Sequence, residues 1–166
     1  MNRIQAQKIV ERIQNIPLYL HAYAFHLNMR MEKILPEGLL DIASEQKLKG
    51  VKVHVLDGES QSLSCADDAR LQKFGEKAHS LGLDVHIETS ASDAETIDTA
   101  VAIALKSGAS SVRFYPRYEG HLAEVLAQVK QDIQYIKAHY QHSGLTFTLE
   151  QHEDLKSHEL VRLIEE

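Results

Sequence analysis

Apolar positions recur along this chain with two periods in turn. Short runs alternate apolar and polar side chains, and longer stretches between them repeat every three to four residues. The first period suits half-buried strands and the second suits amphipathic helices. A helix is expected from Asn2 to about Asn15, with Ile9, Val10 and Ile13 on one face and Pro17 as its stop. A strand follows within Leu18 to Met29, then a helix around Leu39 to Leu48. Val51 to Leu56, Leu83 to Thr89, Ser110 to Tyr115 and Leu145 to Glu150 read as four further strands. Between them lie helical patterns over Ser64 to Ser80, from Ser92 to Leu105, and from about His121 to Gln141. Ser92-Asp93-Ala94-Glu95 has the form of a capping box, with Ser92 as the cap. Ser157 can cap a last helix holding Leu160, Leu163 and Ile164. Gly50, Gly82, Gly108 and Gly144 each fall where a helix should end in the left-handed conformation.

Strands alternating with helices imply a parallel α/β sheet. No linker or low-complexity segment divides the chain, so residues 1–166 are read as one domain: an N-terminal helix over 1–16 and five β/α units over 17–166. Two architectures fit. In a flavodoxin-like open sheet, helices cover both faces and central strands are apolar on both parities. In a (β/α)8 barrel, helices cover only the outside. Here Val51, Val53 and Val55 oppose Lys52, His54 and Leu56, while Val85 and Ile87 oppose Asp84, His86 and Glu88. Val112 and Phe114 oppose Ser111, Arg113 and Tyr115, and Phe147 and Leu149 oppose Thr146, Thr148 and Glu150. A titratable parity is costly beneath a second helix layer. The reading is therefore a partial TIM barrel of about five parallel strands with a polar interior, the flavodoxin-like sheet being the alternative. A whole barrel takes about 250 residues, so the chain is expected to be a partial product.

Composition narrows the partners. The net charge of −6 argues against duplex DNA or an anionic membrane. No apolar run approaches membrane-spanning length, and the charged first helix is not a signal peptide. The one cysteine, Cys65, excludes an internal disulfide and points to a cytoplasmic protein. No dinucleotide, P-loop, CxxC or HExxH pattern is present.

In parallel α/β folds, chemistry gathers beyond the carboxyl ends of the strands. This chain places His26 and Asn28 there, then His54 and Asp57, His86 and Glu88, and Arg113, Tyr115 and Arg117. Glu150, His152, Glu153 and Asp154 follow the fifth strand. Each histidine alone is more often a solvated or hydrogen-bonded residue than a ligand contact. Together, carboxylates and imidazoles at a barrel mouth suit a divalent metal with mixed N/O ligands, which could polarise a sugar carbonyl while a carboxylate moves a proton.

Thr148-Leu149-Glu150-Gln151-His152, followed by Ser157-His158-Glu159-Leu160, resembles the sugar phosphate isomerase/epimerase family of xylose isomerase-like barrels. Leu48 to Val53, Ala78 to Leu83 and Gly108 to Arg113 resemble that family's approaches to strands two, three and four, with Lys52 where glutamate is common. The resemblance implies that Glu150 is the first metal-ligand carboxylate and that His152 lies beside it as a catalytic residue. It implies a divalent metal (Mn, Mg, Co or Zn), with further ligands on strands six to eight of the family's barrel. His26, His54, His86, Glu88 and Arg113 are the candidate contacts for a small-molecule sugar or sugar phosphate. Arg113 could pair an anionic group. Two rival functions share these residues: a sugar-acid dehydratase or lyase on the same barrel, and a non-catalytic half-barrel that binds or associates. An unclosed sheet leaves strand edges and makes a homo-oligomer possible. DNA-repair endonucleases share the barrel too, but the acidic charge speaks against them.

Overall fold

A computed structural model describes residues 3–151 and 155–165. Helix α1 (Arg3–Gln14) precedes strand β1 (Tyr19–His21), a 3-10 turn and short helix α2 (His26–Arg30). The remaining order is α3 (Pro36–Glu45), β2 (Gly50–His54), α4 (Asp68–Ser80), β3 (Asp84–Thr89), α5 (Ala94–Lys106), β4 (Ser111–Phe114), α6 (Leu122–Tyr140), β5 (Thr146–Leu149) and α7 (Ser157–Glu165).

All five strands are parallel and lie in the sequential order β1-β2-β3-β4-β5. That order separates the two architectures. Successive right-handed crossovers between adjacent strands, always stepping the same way, put every helix on one face. A flavodoxin-like sheet must reverse direction after its second strand, giving the order 2-1-3-4-5. The chain takes the barrel's course, and the open-sheet alternative is set aside.

The helix-covered face is the apolar one. Val51, Val53, Val85, Ile87, Val112 and Phe114 are buried there. They form one core with Leu39 and Leu40 of α3, Phe74 of α4, and Ile97 and Val101 of α5. A smaller cluster joins Val125 and Val129 of α6 to Leu155, Leu160 and Leu163 at α7.

Several local expectations change in three dimensions. β1 is short, and the rest of the expected first strand turns into the 3-10 segment and α2. Helix α5 is capped by Asp93, whose side chain accepts from the Thr96 amide, rather than by Ser92. Ser92 is buried and donates to Asp132 Oδ2 at 2.6 Å, where Tyr118 also donates at 2.6 Å. Burial, and then the bond to Asp132, push the Tyr118 hydroxyl up to about 12. This knot ties the loops after β3 and β4 to α6, and so fixes two of the segments that rim the strand ends.

Gly50 also has a different task. Gly82, Gly108 and Gly144 do adopt positive φ at helix ends, but Gly50 opens β2 and does not. A Cβ there would sit 2.0 Å from the Asp84 carbonyl oxygen. Gly50 pairs with Tyr19 on one side and Asp84 on the other. Its missing side chain lets the β3 backbone approach at Asp84, and across this row the Tyr19 hydroxyl donates to Asp84 Oδ2 at 3.0 Å. The left-handed residue that ends the helical segment before β2 is Lys47, with φ of 56° matching the region glycine usually takes.

Candidate active-site wall on the open sheet face

The other face of the sheet carries the polar parity, and strand register sorts it into rows. The lowest row is Tyr19, Gly50 and Asp84. The next is His21, Lys52, His86, Ser111 and Thr146. Above it lie His54, Glu88, Arg113 and Thr148. Glu150 follows β5, its amide donating to the Phe114 carbonyl at 2.9 Å. Period-two alternation thus becomes a continuous titratable wall whose upper rows point toward the carboxyl ends of the strands.

Glu88 is the hub of the upper row. Its side chain is 1% exposed, and its Oε2 accepts from Arg113 Nη2 at 2.8 Å and lies 2.9 Å from His21 Nε2. Burial alone would raise its carboxyl pKa, but the bonds from His21 and Arg113 and the arginine charge outweigh it and hold the pKa below the usual value. Arg113 Nη1 pairs with Glu150 Oε2, so one guanidinium bridges two carboxylates. The Glu88 Oε1 atom is buried without a hydrogen-bond partner among the described residues.

His54 stands beside this pair. Burial is the largest influence and lowers its pKa, with the nearby Arg113 and His21 acting in the same direction against Asp57 and Glu88. Its Nδ1 accepts from the Leu56 amide at 3.2 Å, which leaves Nε2 as the protonated nitrogen of the neutral ring. Asp57 is pushed up by burial, and its Oδ2 is buried without a partner among the described residues.

The lower rows form a second knot. Asp84 accepts from Tyr19 and lies 2.9 Å from His86 Nε2. Burial raises its pKa, yet bonds from Ser110, His86 and Tyr19 bring it below the usual value. Lys52 Nζ lies over the Tyr19 ring, 5.9 Å from its centroid.

Of the residues singled out from sequence, His54, Glu88, Arg113 and Glu150 come together, and His86 sits one row lower. His26 does not join them: it belongs to α2, stacked on Tyr23 at 4.6 Å with Nδ1 2.9 Å from the Tyr23 carbonyl. The strand-end histidine is His21 instead. Period-two reading from a β1 ending at residue 21 would have found it, had the following helical turn been recognised. His152 lies outside the described residues. The exposed Cys65 is away from the strands, its thiol 3.6 Å from the Glu59 carbonyl.

A divalent metal is not accommodated by these residues alone. Among the described residues no three His, Cys, Asp or Glu side chains are grouped to hold an ion. Glu150 is already paired with a guanidinium, whose charge opposes a second cation at the same oxygen. No helix of the described residues is long and apolar enough to cross a membrane.

No protein-family model matches the chain. It is 67% identical over 161 residues to the "Uncharacterized protein YihM" of Escherichia coli, covering 97% of this chain and 49% of that protein. The chain therefore spans about half the length of the curated protein it matches. Among solved structures, it superposes on a D-psicose 3-epimerase determined in the presence of D-fructose with a TM-score of 0.64 and 12% identity, over 78% of this chain and 53% of the epimerase. A xylose isomerase domain protein from Planctomyces limnophilus gives 0.54 and 16%, over 76% and 53%. A xylose isomerase domain-containing protein from Salmonella typhimurium gives 0.55 and 12%, over 79% and 47%. At these identities the likeness is one of fold, and the neighbours are TIM-barrel proteins of the xylose isomerase-like kind.

Proposed function

We propose that this chain forms a substrate-facing wall of a sugar isomerase- or epimerase-type site, one that moves a proton next to a carbonyl. The observation that carries this reading is the convergence of Glu88, Arg113, His21, His54 and Glu150 on the one sheet face that helices leave open. The shared fold with a D-psicose 3-epimerase supports the class of substrate.

A polyhydroxylated ligand needs many donors and acceptors in fixed positions. The wall offers them: the His54 Nε2–H, the Thr148 hydroxyl and the two carboxylates, while the His21 ring is held between the Tyr23 amide and Glu88. Arg113 acts chiefly inside the wall. It holds Glu88 and Glu150 in place, which fixes the direction of the Glu150 carboxylate. Glu150 is the group we assign to take a proton from the carbon beside the carbonyl and return it. Divalent Mn, Mg, Co or Zn fits this class of chemistry, but the wall supplies at most one carboxylate to it.

Incubating the chain with a panel of aldoses and ketoses in D2O, with and without each metal, tests the reading. Proton NMR should show binding to at least one sugar, and any exchange at the carbon next to the carbonyl should disappear in Glu150→Gln. No contact with any sugar on the panel would sink it.

A further inference from the structure

We propose that the lower part of this wall is an oxyanion subsite, in which Lys52 receives a phosphate-type group of the ligand. The inference rests on the open face being a small-molecule site, and it names which part of the ligand that face selects.

A cavity of about 280 Å³ lies over the middle rows, near the lower end of small-molecule pockets, which start at roughly 300 Å³. Lys52 and His86 line one side, Ser111 and Thr146 the other, with Arg113 and Thr148 above. It is open toward β5, where Thr146 and Thr148 are exposed, so a ligand has a way in.

The charges facing it decide what it can hold. Three carboxylates are close, and each is engaged. Asp84 takes Tyr19 and His86, Glu88 takes His21 and Arg113, and Glu150 takes Arg113. Arg113 is spent between two carboxylates and is a poor anion clamp, contrary to the expectation from sequence. Lys52 forms no ion pair with any described carboxylate, and its contact is the face of the Tyr19 ring. A half-buried ammonium without a counter-charge is unfavourable, and an oxyanion relieves it. Around it stand the Ser111, Thr146 and Thr148 hydroxyls, each able to donate to a tetrahedral oxyanion, while the His86 ring gives its Nε2 proton to Asp84.

Isothermal titration and amide NMR shifts of the full chain with inorganic phosphate, D-fructose and D-fructose 6-phosphate test this. Phosphate should shift the amides of Lys52, His86, Ser111 and Thr146. Lys52→Gln should weaken phosphate and the sugar phosphate by roughly 10- to 100-fold, the size of a lost charge-assisted bond, and leave D-fructose unchanged. Lys52→Arg should retain the binding. If Lys52→Gln does not fold, Thr146→Val, which keeps the shape and removes one donor, should weaken phosphate by about 3- to 10-fold. Wild-type chain that ignores phosphate, or a Lys52→Gln or Thr146→Val variant that binds it equally well, overturns the inference. Phosphate binding through Lys52 with no sugar binding would leave the subsite standing and remove the sugar reading. D-fructose binding without phosphate binding would do the reverse.

Discussion

Replacing Glu88 by leucine removes the hub of the wall while nearly keeping its volume. Glu88 is 1% exposed and Arg113 17%, so their pairing lies largely out of water. Breaking a buried ion pair from one side costs about 3–5 kcal/mol, because the surviving charge stays buried. Arg113 keeps Glu150 as a partner, which places the loss at the low end, about 3 kcal/mol. For a chain of this size each kcal/mol lowers Tm by roughly 2–4 °C, so Glu88→Leu should melt about 6–12 °C below wild type at pH 7. Circular dichroism melts measure it. Adding Arg113→Met to Glu88→Leu removes the stranded guanidinium, and the double variant should lose less than the sum of the single losses. The pH dependence has a fixed sign. The Glu88 carboxyl is held below its ordinary pKa, so its stabilisation is present above that ordinary value and is lost as pH falls through the folded one. The gap between wild type and Glu88→Leu should therefore narrow in acid. A Tm change under about 2 °C at pH 7, where roughly 6 °C or more is expected, or strictly additive losses, would refute the buried pairing.

Asp57 and Gly50 probe other parts of the account, with Gly82 as the control for Gly50. Asp57 is pushed up by burial with Oδ2 unpartnered, so its ionised form costs stability as pH rises through the folded pKa. Asp57→Asn should raise Tm at pH 7 by roughly 2–4 °C, the equivalent of about 1 kcal/mol, and by less near pH 4. Gly50→Ala drives a Cβ to 2.0 Å from a backbone oxygen, whereas Gly82→Ala meets nothing within 4 Å and only the strain of φ 67°. Urea unfolding should show a loss of about 3 kcal/mol or more at Gly50, against about 1 kcal/mol at Gly82.

The architecture was legible because the two periods are clean. Val51, Val53, Val85 and Ile87 declared the helix-covered face, and Lys52, His54, His86 and Glu88 the open one. What sequence could not carry was the register. Nothing local to Tyr19 or Asp84 says that they meet across Gly50, and a glycine before a strand looks the same whether it ends a helix or clears space for a neighbour. β1 is hidden for a related reason: its three residues are too few to show alternation, and His26, expected at a strand end, opens helix α2. Ser92 lost its capping role to Asp93 because a buried partner on α6, forty residues away, competes for the hydroxyl. Arg113 was found as a site residue, but its partners come from β3 and from the end of β5. Only the fold shows that it is already committed to both.

The most direct test of the sugar-facing wall is amide NMR mapping of the chain titrated with D-fructose. Shifts should cluster at His54, Glu88, Arg113, Thr148 and Glu150, on the face the helices leave open. Shifts confined to the helix-covered side, for example around Tyr140 and Phe147, would contradict the account.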